Sequence, residues 1–194
     1  SGVGNVAIGS GSMAANATSD NNTAVGTNAL GRLTIDGEGS NTAVGYQSGR
    51  AMTLGRYNTA IGFQALQTED VGDRSVAVGY AALYTQNSDS NNEITGNTGV
   101  GFYAGLYNVT GQNNTYIGYS AGAGASGQSN SNNTGVGSGA LLAITTGGYN
   151  TAVGYQAGDS ITSGNSNVLI GRGTGVTMTE ADEMVLIGND AGAS

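Results

Sequence analysis

The ionisable side chains of this 194-residue chain offer little for catalysis, because the sequence contains no histidine, lysine or cysteine. General acid–base or glycosidase-like chemistry would therefore depend on carboxylates. Two carboxylate clusters occur, namely Glu69, Asp70 and Asp73, and Glu180, Asp182 and Glu183. Both lie in variable segments between repeats, where charged residues ordinarily form solvated turns. We therefore expect no enzymatic activity.

Metal chemistry has two weak candidates, the oxygen-rich segments 19–22 and 87–93. Carboxylate and amide oxygens are suitable ligands for calcium. Neither segment has the EF-hand spacing or the G-G-x-G-x-D repeat of calcium-binding β-helices. We expect no cofactor, with calcium as the one weak possibility.

Composition excludes several classes of partner. The net charge of -8 would repel a phosphate backbone, so we expect no nucleic acid. No apolar run reaches the roughly 18 residues of a membrane helix, and the first residues lack the charged start of a signal peptide. We expect no direct membrane insertion, and a chain that is soluble or has had an export signal and anchor removed.

One short phrase is repeated along the whole chain. NTAVGYQ occurs at residues 41–47 and again at 150–156, and close variants lie between and around them. The glycine after each apolar triplet marks eleven copies: Gly9, Gly26, Gly45, Gly62, Gly79, Gly101, Gly118, Gly137, Gly154, Gly171 and Gly188. Seven of the ten spacings are 17 residues, and insertions at 36–40, 87–93 and 127–132 account for the rest. Insertions confined to one corner of a repeat predict loops on one face.

The positions of the repeat, numbered from its Asn, show an alternating pattern. Position four is Val or Ile and position five is Gly in all eleven copies, while position two is Thr seven times and Val four times. Position eight is always small and position nine is Gly, Leu or Met. Side chains two apart on a strand share a face, so we interpret positions two and four as interior. On this interpretation Ile61 and Val153 should be nearly fully buried.

A β-branched triplet, a glycine turn and an Asn- and Ser-rich return every 17 residues predict one coil of a parallel β-solenoid or β-roll. The pattern lacks the leucine signature of leucine-rich repeats, and the unit is too short for a propeller blade of about 40 residues. We expect a single all-β domain over residues 1–194, with eleven coils forming a rod of roughly 50 Å.

Position three is expected to point away from positions two and four. It carries no charge or amide in any copy, and a strand that is non-polar on both faces is ordinarily covered on both. We interpret this as contact with neighbouring chains in a parallel cyclic oligomer, although alanine could simply be tolerated on a crowded surface. The candidate interface residues are Tyr116, Ala152, Leu169 and Leu186.

Two other positions recur. Position one is usually Asn, which predicts a ladder of amides that hydrogen-bond from coil to coil. Position six carries an aromatic residue in six copies: Tyr46, Phe63, Tyr80, Phe102, Tyr119 and Tyr155. One interpretation is that these rings are packed, either over the corner of the roll or between subunits. The other is that they form an exposed row on which sugars could stack.

The phrases NVAIGSGS at 5–12 and SVAVGYAA at 75–82 resemble the head repeats of trimeric autotransporter adhesins. NTAVGYQAG at 150–158 and NTAIGFQAL at 58–66 are similar to related repeats of bacteriophage tail fibres and bacterial surface proteins. The resemblance covers essentially the whole chain and implies a left-handed parallel β-roll in a parallel homotrimer. It departs in its longer period and in lacking the family's neck, stalk and anchor.

Together these features predict a non-enzymatic, extracellular fibre or adhesin segment, from a virion tail fibre or a bacterial cell surface, that mediates cell attachment. The expected partners are other copies of the chain and a host cell-surface glycan or protein. Because recognition commonly lies in loops, the candidate recognition residues are those of the longest insertion: Gln86, Asn87, Ser88, Asp89, Ser90, Asn91, Asn92 and Glu93. A purely structural filament is the alternative. Ice binding is a minor one, because the Thr row at position two is interpreted as interior.

Overall fold

A computed structural model describes residues 2–193, and in this part of the chain the fold is all-β, without an α-helix. The same residues contain no helix that could cross a membrane. The strands are β1 (Val6–Ile8), β2 (Ser19–Asp20), β3 (Thr23–Val25), β4 (Gly37–Glu38), β5 (Thr42–Val44), β6 (Thr59–Ile61), β7 (Val76–Val78), β8 (Thr98–Val100), β9 (Thr115–Ile117), β10 (Thr134–Val136), β11 (Thr151–Val153), β12 (Val168–Ile170) and β13 (Val185–Ile187).

One parallel sheet runs the length of the molecule. Eleven strands pair in chain order, while β2 and β4 form a separate parallel pair. The register follows the repeat position by position, as in the pairing of Thr134, Gly135 and Val136 with Thr151, Ala152 and Val153. Each coil therefore stacks on the next, and the predicted parallel β-solenoid of about eleven turns is confirmed.

The interior of the coil is lined by position three, contrary to the sequence interpretation. Tyr116, Ala152 and Leu169 are buried within the single chain, and Leu186 is half-buried against the same cluster. These four side chains face the core of their own coil, so their assignment to an interface with neighbouring chains was wrong. The narrow interior explains why alanine predominates at position three.

The larger residues at position three fit because position nine opposite them is glycine. A Cβ on Gly122 would come 2.2 Å from Cδ1 of Tyr116. A Cβ on Gly192 would likewise come 2.6 Å from Cδ1 of Leu186. In other coils, buried leucines at position nine fill the same space: Leu30, Leu66, Leu83 and Leu141.

Positions two and four point outward. Ile61 is 38% exposed and Val153 is 37% exposed, so the prediction that they are nearly fully buried was wrong for the single chain. Alternation along the strand was correctly read from the sequence, but the two faces were interchanged. Burial of position three and exposure of position four follow from one another, because successive side chains leave a strand on opposite faces.

The Asn ladder at position one is confirmed. The Asn58 backbone N–H donates to Oδ1 of Asn41 at 2.9 Å, and the Asn41 amide donates to the Gly55 carbonyl oxygen at 2.9 Å. Most position-one amides are buried and are satisfied by such bonds to the next coil. The ladder replaces the side-chain contacts that a thin core cannot supply.

Candidate functional site

The largest candidate surface is the outer face of the eleven-stranded sheet, which we call the strand face. It consists of positions two and four of every coil, with Thr or Val in one row and Val or Ile in the other. No charged residue occupies either row. The exposed members of the second row are Ile8, Ile61, Ile117, Val153, Ile170 and Ile187. The strand face is thus an uncharged, β-branched stripe that is wholly or partly exposed in every strand.

The threonines of the strand face lie in a row at position two. Seven coils contribute Thr there, and these residues are partly exposed. Their outward placement removes the reason given for setting ice binding aside, since the row is not interior. The parallel sheet presents these hydroxyl and methyl groups at a regular repeat of about 4.8 Å.

A second surface is the aromatic ladder at position six. The rings of Tyr46, Phe63, Tyr80, Phe102 and Tyr119 stack in sequence, with centroids 4.9 to 5.4 Å apart and interplanar angles of 6 to 14°. Each ring keeps between 39% and 59% of its surface exposed. The rings therefore pack on one another and also remain accessible, so both sequence interpretations keep a structural basis.

The ladder is interrupted after Tyr119. The next coil has Ser138 at position six, and the coil after it has Tyr155. These residues, together with Ser120, Gly139, Leu142 and Gln156, line an open slot of about 350 Å³. A second groove of about 250 Å³ lies beside the unbroken ladder and is lined by Gln64, Tyr80, Ala81, Tyr84, Tyr103, Leu106 and Tyr107.

The long insertion is only partly a surface loop. Asn87, Asp89, Ser90, Asn91 and Asn92 are exposed, and Glu93 is partly exposed. Gln86 and Ser88, however, are buried, so these two candidate recognition residues do not lie at the surface. The recognition surface of this segment is thus smaller than the sequence suggested.

The buried end of the insertion is held by Glu69, a fully buried carboxylate. Its Oε1 accepts from the Gly72 backbone N–H at 2.7 Å, and its Oε2 accepts from the Gln86 amide at 2.8 Å. The backbone N–H and the hydroxyl of Ser88 also donate to this carboxylate, each at 3.2 Å. Trimming residues 87–91 would remove the two Ser88 donors, so we expect such a deletion to destabilise the fold.

Asp73 lies close to this network and is also buried. Its Oδ1 accepts from the Arg56 backbone N–H at 2.7 Å. Burial raises the pKa of the Asp73 carboxyl, and that hydrogen bond with the charges of Arg56 and Arg74 offsets the shift only in part. Asp73 and Glu69 therefore serve as anchors of a buried return segment.

The second carboxylate cluster has a different setting. Glu180, Asp182 and Glu183 are exposed, and Asp182 accepts from the Asn165 backbone N–H at 2.7 Å. In the segment considered for calcium, Asp20 accepts from the Val3 backbone N–H at 2.7 Å. Within residues 2–193, no three acidic side chains are gathered in a way that could hold a metal ion.

Three features of the structure were not predicted from the sequence. The Glu69 network could not be read from the sequence, because Glu69 looks like any turn carboxylate until the insertion folds over it. The slot could have been found, since Ser138 interrupts the aromatic row at position six. The inward direction of position three also had a signal, because Tyr116, Leu169 and Leu186 each share a coil with glycine at position nine.

Comparison of the chain with protein-family models, with curated proteins and with solved structures found no match.

Proposed function

We propose that the chain is a non-enzymatic segment of an extracellular fibre or adhesin, in which three parallel copies associate through their strand faces. The observation that carries this proposal is the uncharged, β-branched strand face, which is wholly or partly exposed in every strand of the sheet. Eleven strands with two outward rows give a stripe of about 500 Å², at the upper end of what monomeric proteins expose.

Association of identical copies suits the shape of this stripe. In a cyclic parallel assembly each strand face is directed at the symmetry axis, so coils at the same height meet. Burial of exposed isoleucines and valines such as Ile61 and Val153 favours association at about 25 cal/mol per Å². The stripe alone would suit two or three copies, and the resemblance to trimeric adhesin heads favours three.

Attachment is assigned to the surfaces that such an assembly leaves free. The exposed part of the long insertion presents Asp89, Asn91 and Asn92 to solvent. Three copies of a weak polar contact with a host glycan or protein would act together through avidity. The fibre would extend this surface from a virion tail or a bacterial cell.

Assembly is tested by measuring the mass of the protein in solution by sedimentation equilibrium. We expect a trimer for the parent and a folded lower-order species for Ile117→Asp, which places a carboxylate on the strand face. Asn113→Asp adds the same charge at an exposed position outside that face and should remain trimeric. A parent that stays monomeric at high concentration would overturn the proposal.

Attachment is tested with substitutions that keep the buried anchor intact. Asp89→Ser combined with Asn91→Ser changes exposed side chains only, whereas Gln86 and Ser88 retain their bonds to Glu69. We expect the labelled trimer of this variant to lose binding to a panel of bacterial cells. If the parent trimer binds no cell in the panel, the purely structural filament is favoured.

Ice binding is a second candidate, and the outward Thr row is the observation that favours it. The same face cannot serve both purposes, since a face buried between copies cannot contact ice. Thermal hysteresis measured on a monomeric parent, and lost in Thr134→Asp, would favour ice binding. A trimer without hysteresis would favour the fibre.

A further inference from the structure

We infer that the slot between Tyr119 and Tyr155 binds the pyranose ring of a neutral saccharide. The inference rests on the proposed attachment function, for which it names a ligand class and a site. The slot is the place where one ring is missing from an otherwise regular ladder, because Ser138 occupies position six of the intervening coil.

The width of the slot matches a single ring. Neighbouring rings of the ladder are about 5 Å apart, as between Phe102 and Tyr119 at 5.4 Å. Tyr119 and Tyr155 are separated by two coils and therefore by about 10 Å. A ring inserted midway would lie about 5 Å from each tyrosine, the spacing found elsewhere in the ladder. Both walls are accessible, with Tyr119 59% and Tyr155 53% exposed.

The polar residues of the slot favour a sugar over an aromatic side chain. Ser120, Ser138 and Gln156 line it beside the two rings. Among the side-chain hydrogen bonds formed within residues 2–193, none uses these two hydroxyls or this amide. In earlier coils the corresponding amides are engaged, as Gln64 donates to Gln47 at 3.0 Å. A pyranose offers apolar faces to the tyrosines and hydroxyls at its edge to Ser and Gln, whereas a phenyl ring offers no such hydroxyls.

The charge of the slot favours a neutral sugar. Within the described part of the chain, no carboxylate or arginine lines it. Arg172 occupies position six of the following coil, but its guanidinium pairs with Asp190 at 2.8 Å. With a net charge of -8 on the chain, an acidic sugar would be repelled and would find no partner in the slot.

The slot is compatible with the proposed assembly. Its lining residues occupy positions six, seven and ten of the repeat, and none belongs to positions two or four of the strand face. Three strand faces can therefore meet at an axis while three slots remain open. Shallow sites of this kind bind single sugars weakly, with Kd on the order of 1 mM, and gain strength through multivalency.

The test fills the missing place in the ladder. Ser138→Tyr should complete the stack and block the slot without disturbing the core, because Ser138 lies at an outward position next to the turn. The matched control is Thr27→Tyr, which adds a ring at exposed position six beside Tyr46 and leaves the slot unchanged. The probes are methyl β-D-glucopyranoside, methyl β-D-galactopyranoside, N-acetylglucosamine, a methyl sialoside and N-acetyl-tyrosinamide, measured by saturation-transfer NMR on the full chain.

We expect at least one neutral pyranose to show saturation transfer with the parent and with Thr27→Tyr, and a loss of at least tenfold in affinity with Ser138→Tyr. Absence of signal from every neutral sugar would overturn the inference, as would equal binding by Ser138→Tyr. A signal from the sialoside or from N-acetyl-tyrosinamide alone would overturn the ligand class. Sedimentation of the same samples separates the two proposals: a trimer that binds no sugar contradicts only the slot, and a sugar-binding monomer contradicts only the assembly.

Discussion

Adjacent residues on a strand of this solenoid have opposite surroundings. Ala152 is fully buried inside its coil, while Val153 beside it lies on the strand face and is 37% exposed. In this coil the smaller side chain faces inward and the larger one outward, the reverse of the usual association of size with burial. The same charge should therefore have different effects at the two positions.

Ala152→Asp should abolish cooperative folding, because it places a carboxylate among the buried apolar side chains of the core, at a cost of several kcal/mol. Val153→Asp should leave the fold of the single chain intact, since the charge remains in contact with water. Circular dichroism during heating distinguishes the two. Equal loss of structure in both variants would contradict the assignment of faces.

The buried carboxylate of Glu69 provides a second test. Glu69→Gln keeps the shape but turns one acceptor into a donor facing the Gln86 amide and the Ser88 hydroxyl. We expect a loss of about 1–3 kcal/mol in the free energy of unfolding and faster hydrogen exchange at the Ser88 amide. Glu180→Gln, at an exposed position, is the matched control. Unchanged exchange at Ser88 in Glu69→Gln would show that the carboxylate does not hold the insertion.

The stability of the protein should depend on pH through Asp73. Because burial raises its pKa above 3.8, the folded state binds the proton more tightly than the unfolded state. The stability gained from this group is present below pH 3.8 and is lost as the pH rises through the raised pKa. Asp73→Asn keeps an oxygen acceptor for the Arg56 N–H but cannot ionise. As the pH rises through the raised pKa of Asp73, the free energy of unfolding of the parent should therefore fall relative to that of Asp73→Asn. Urea unfolding at several acidic pH values measures the difference, and a flat difference would contradict the prediction.

At the scale of the element, the coil is determined by its turn. Position five is glycine in every copy, and Gly154 adopts φ +137°. A Cβ there would lie 2.5 Å from the Gly171 carbonyl oxygen of the next coil. Glycine is thus required both by the backbone conformation and by the close stacking of turns.

The two requirements can be separated by comparing two glycines. Gly188 has nearly the same φ, +133°, but among residues 2–193 a Cβ there would meet only Ala191, at 4.0 Å. Gly188→Ala should cost only the conformational strain, of order 1–3 kcal/mol. Gly154→Ala should cost several kcal/mol, because the strand pairing around it must also shift. Thermal unfolding of both variants measures the contrast, and equal losses would show that stacking of the turns imposes no additional constraint.

The strands and coils were predictable because period, turn glycine and β-branched triplets all indicate the same architecture. Which face is interior was not, because alternation alone divides a strand into two faces without saying which one is buried. The candidate surfaces were also predictable only in part. The aromatic row and its interruption at Ser138 are visible in the sequence. The burial of Gln86 and Ser88 is not, because it depends on Glu69, one coil earlier. The features that could not be predicted are therefore contacts between coils, which the sequence of a single repeat does not determine.

At the scale of the whole molecule, each coil contacts mainly its two neighbours. The sheet order follows the chain without exception, and the Asn ladder joins each coil to the next. In such arrays, stability is approximately the sum of coil terms and neighbour interfaces. Removing one complete coil should therefore shorten the rod without changing its architecture.

Deletion of residues 151–167 tests this property. It joins Asn150 to Val168 and reduces the separation of Gly137 and Gly171 from 34 positions to 17. In the parent, the Asn150 amide donates to the Gly164 carbonyl, which the deletion removes. In the shortened chain it can instead donate to the Ala181 carbonyl, the acceptor that Asn167 has in the parent. We expect one cooperative transition at a temperature a few degrees lower, and a maximum dimension in X-ray scattering that is smaller by about 5 Å.

Deletion of residues 151–168 would leave a coil of 16 residues, one shorter than the smallest spacing in the chain, and should unfold at a much lower temperature. If both deletions melt alike, the 17-residue period is not what holds the coils in register.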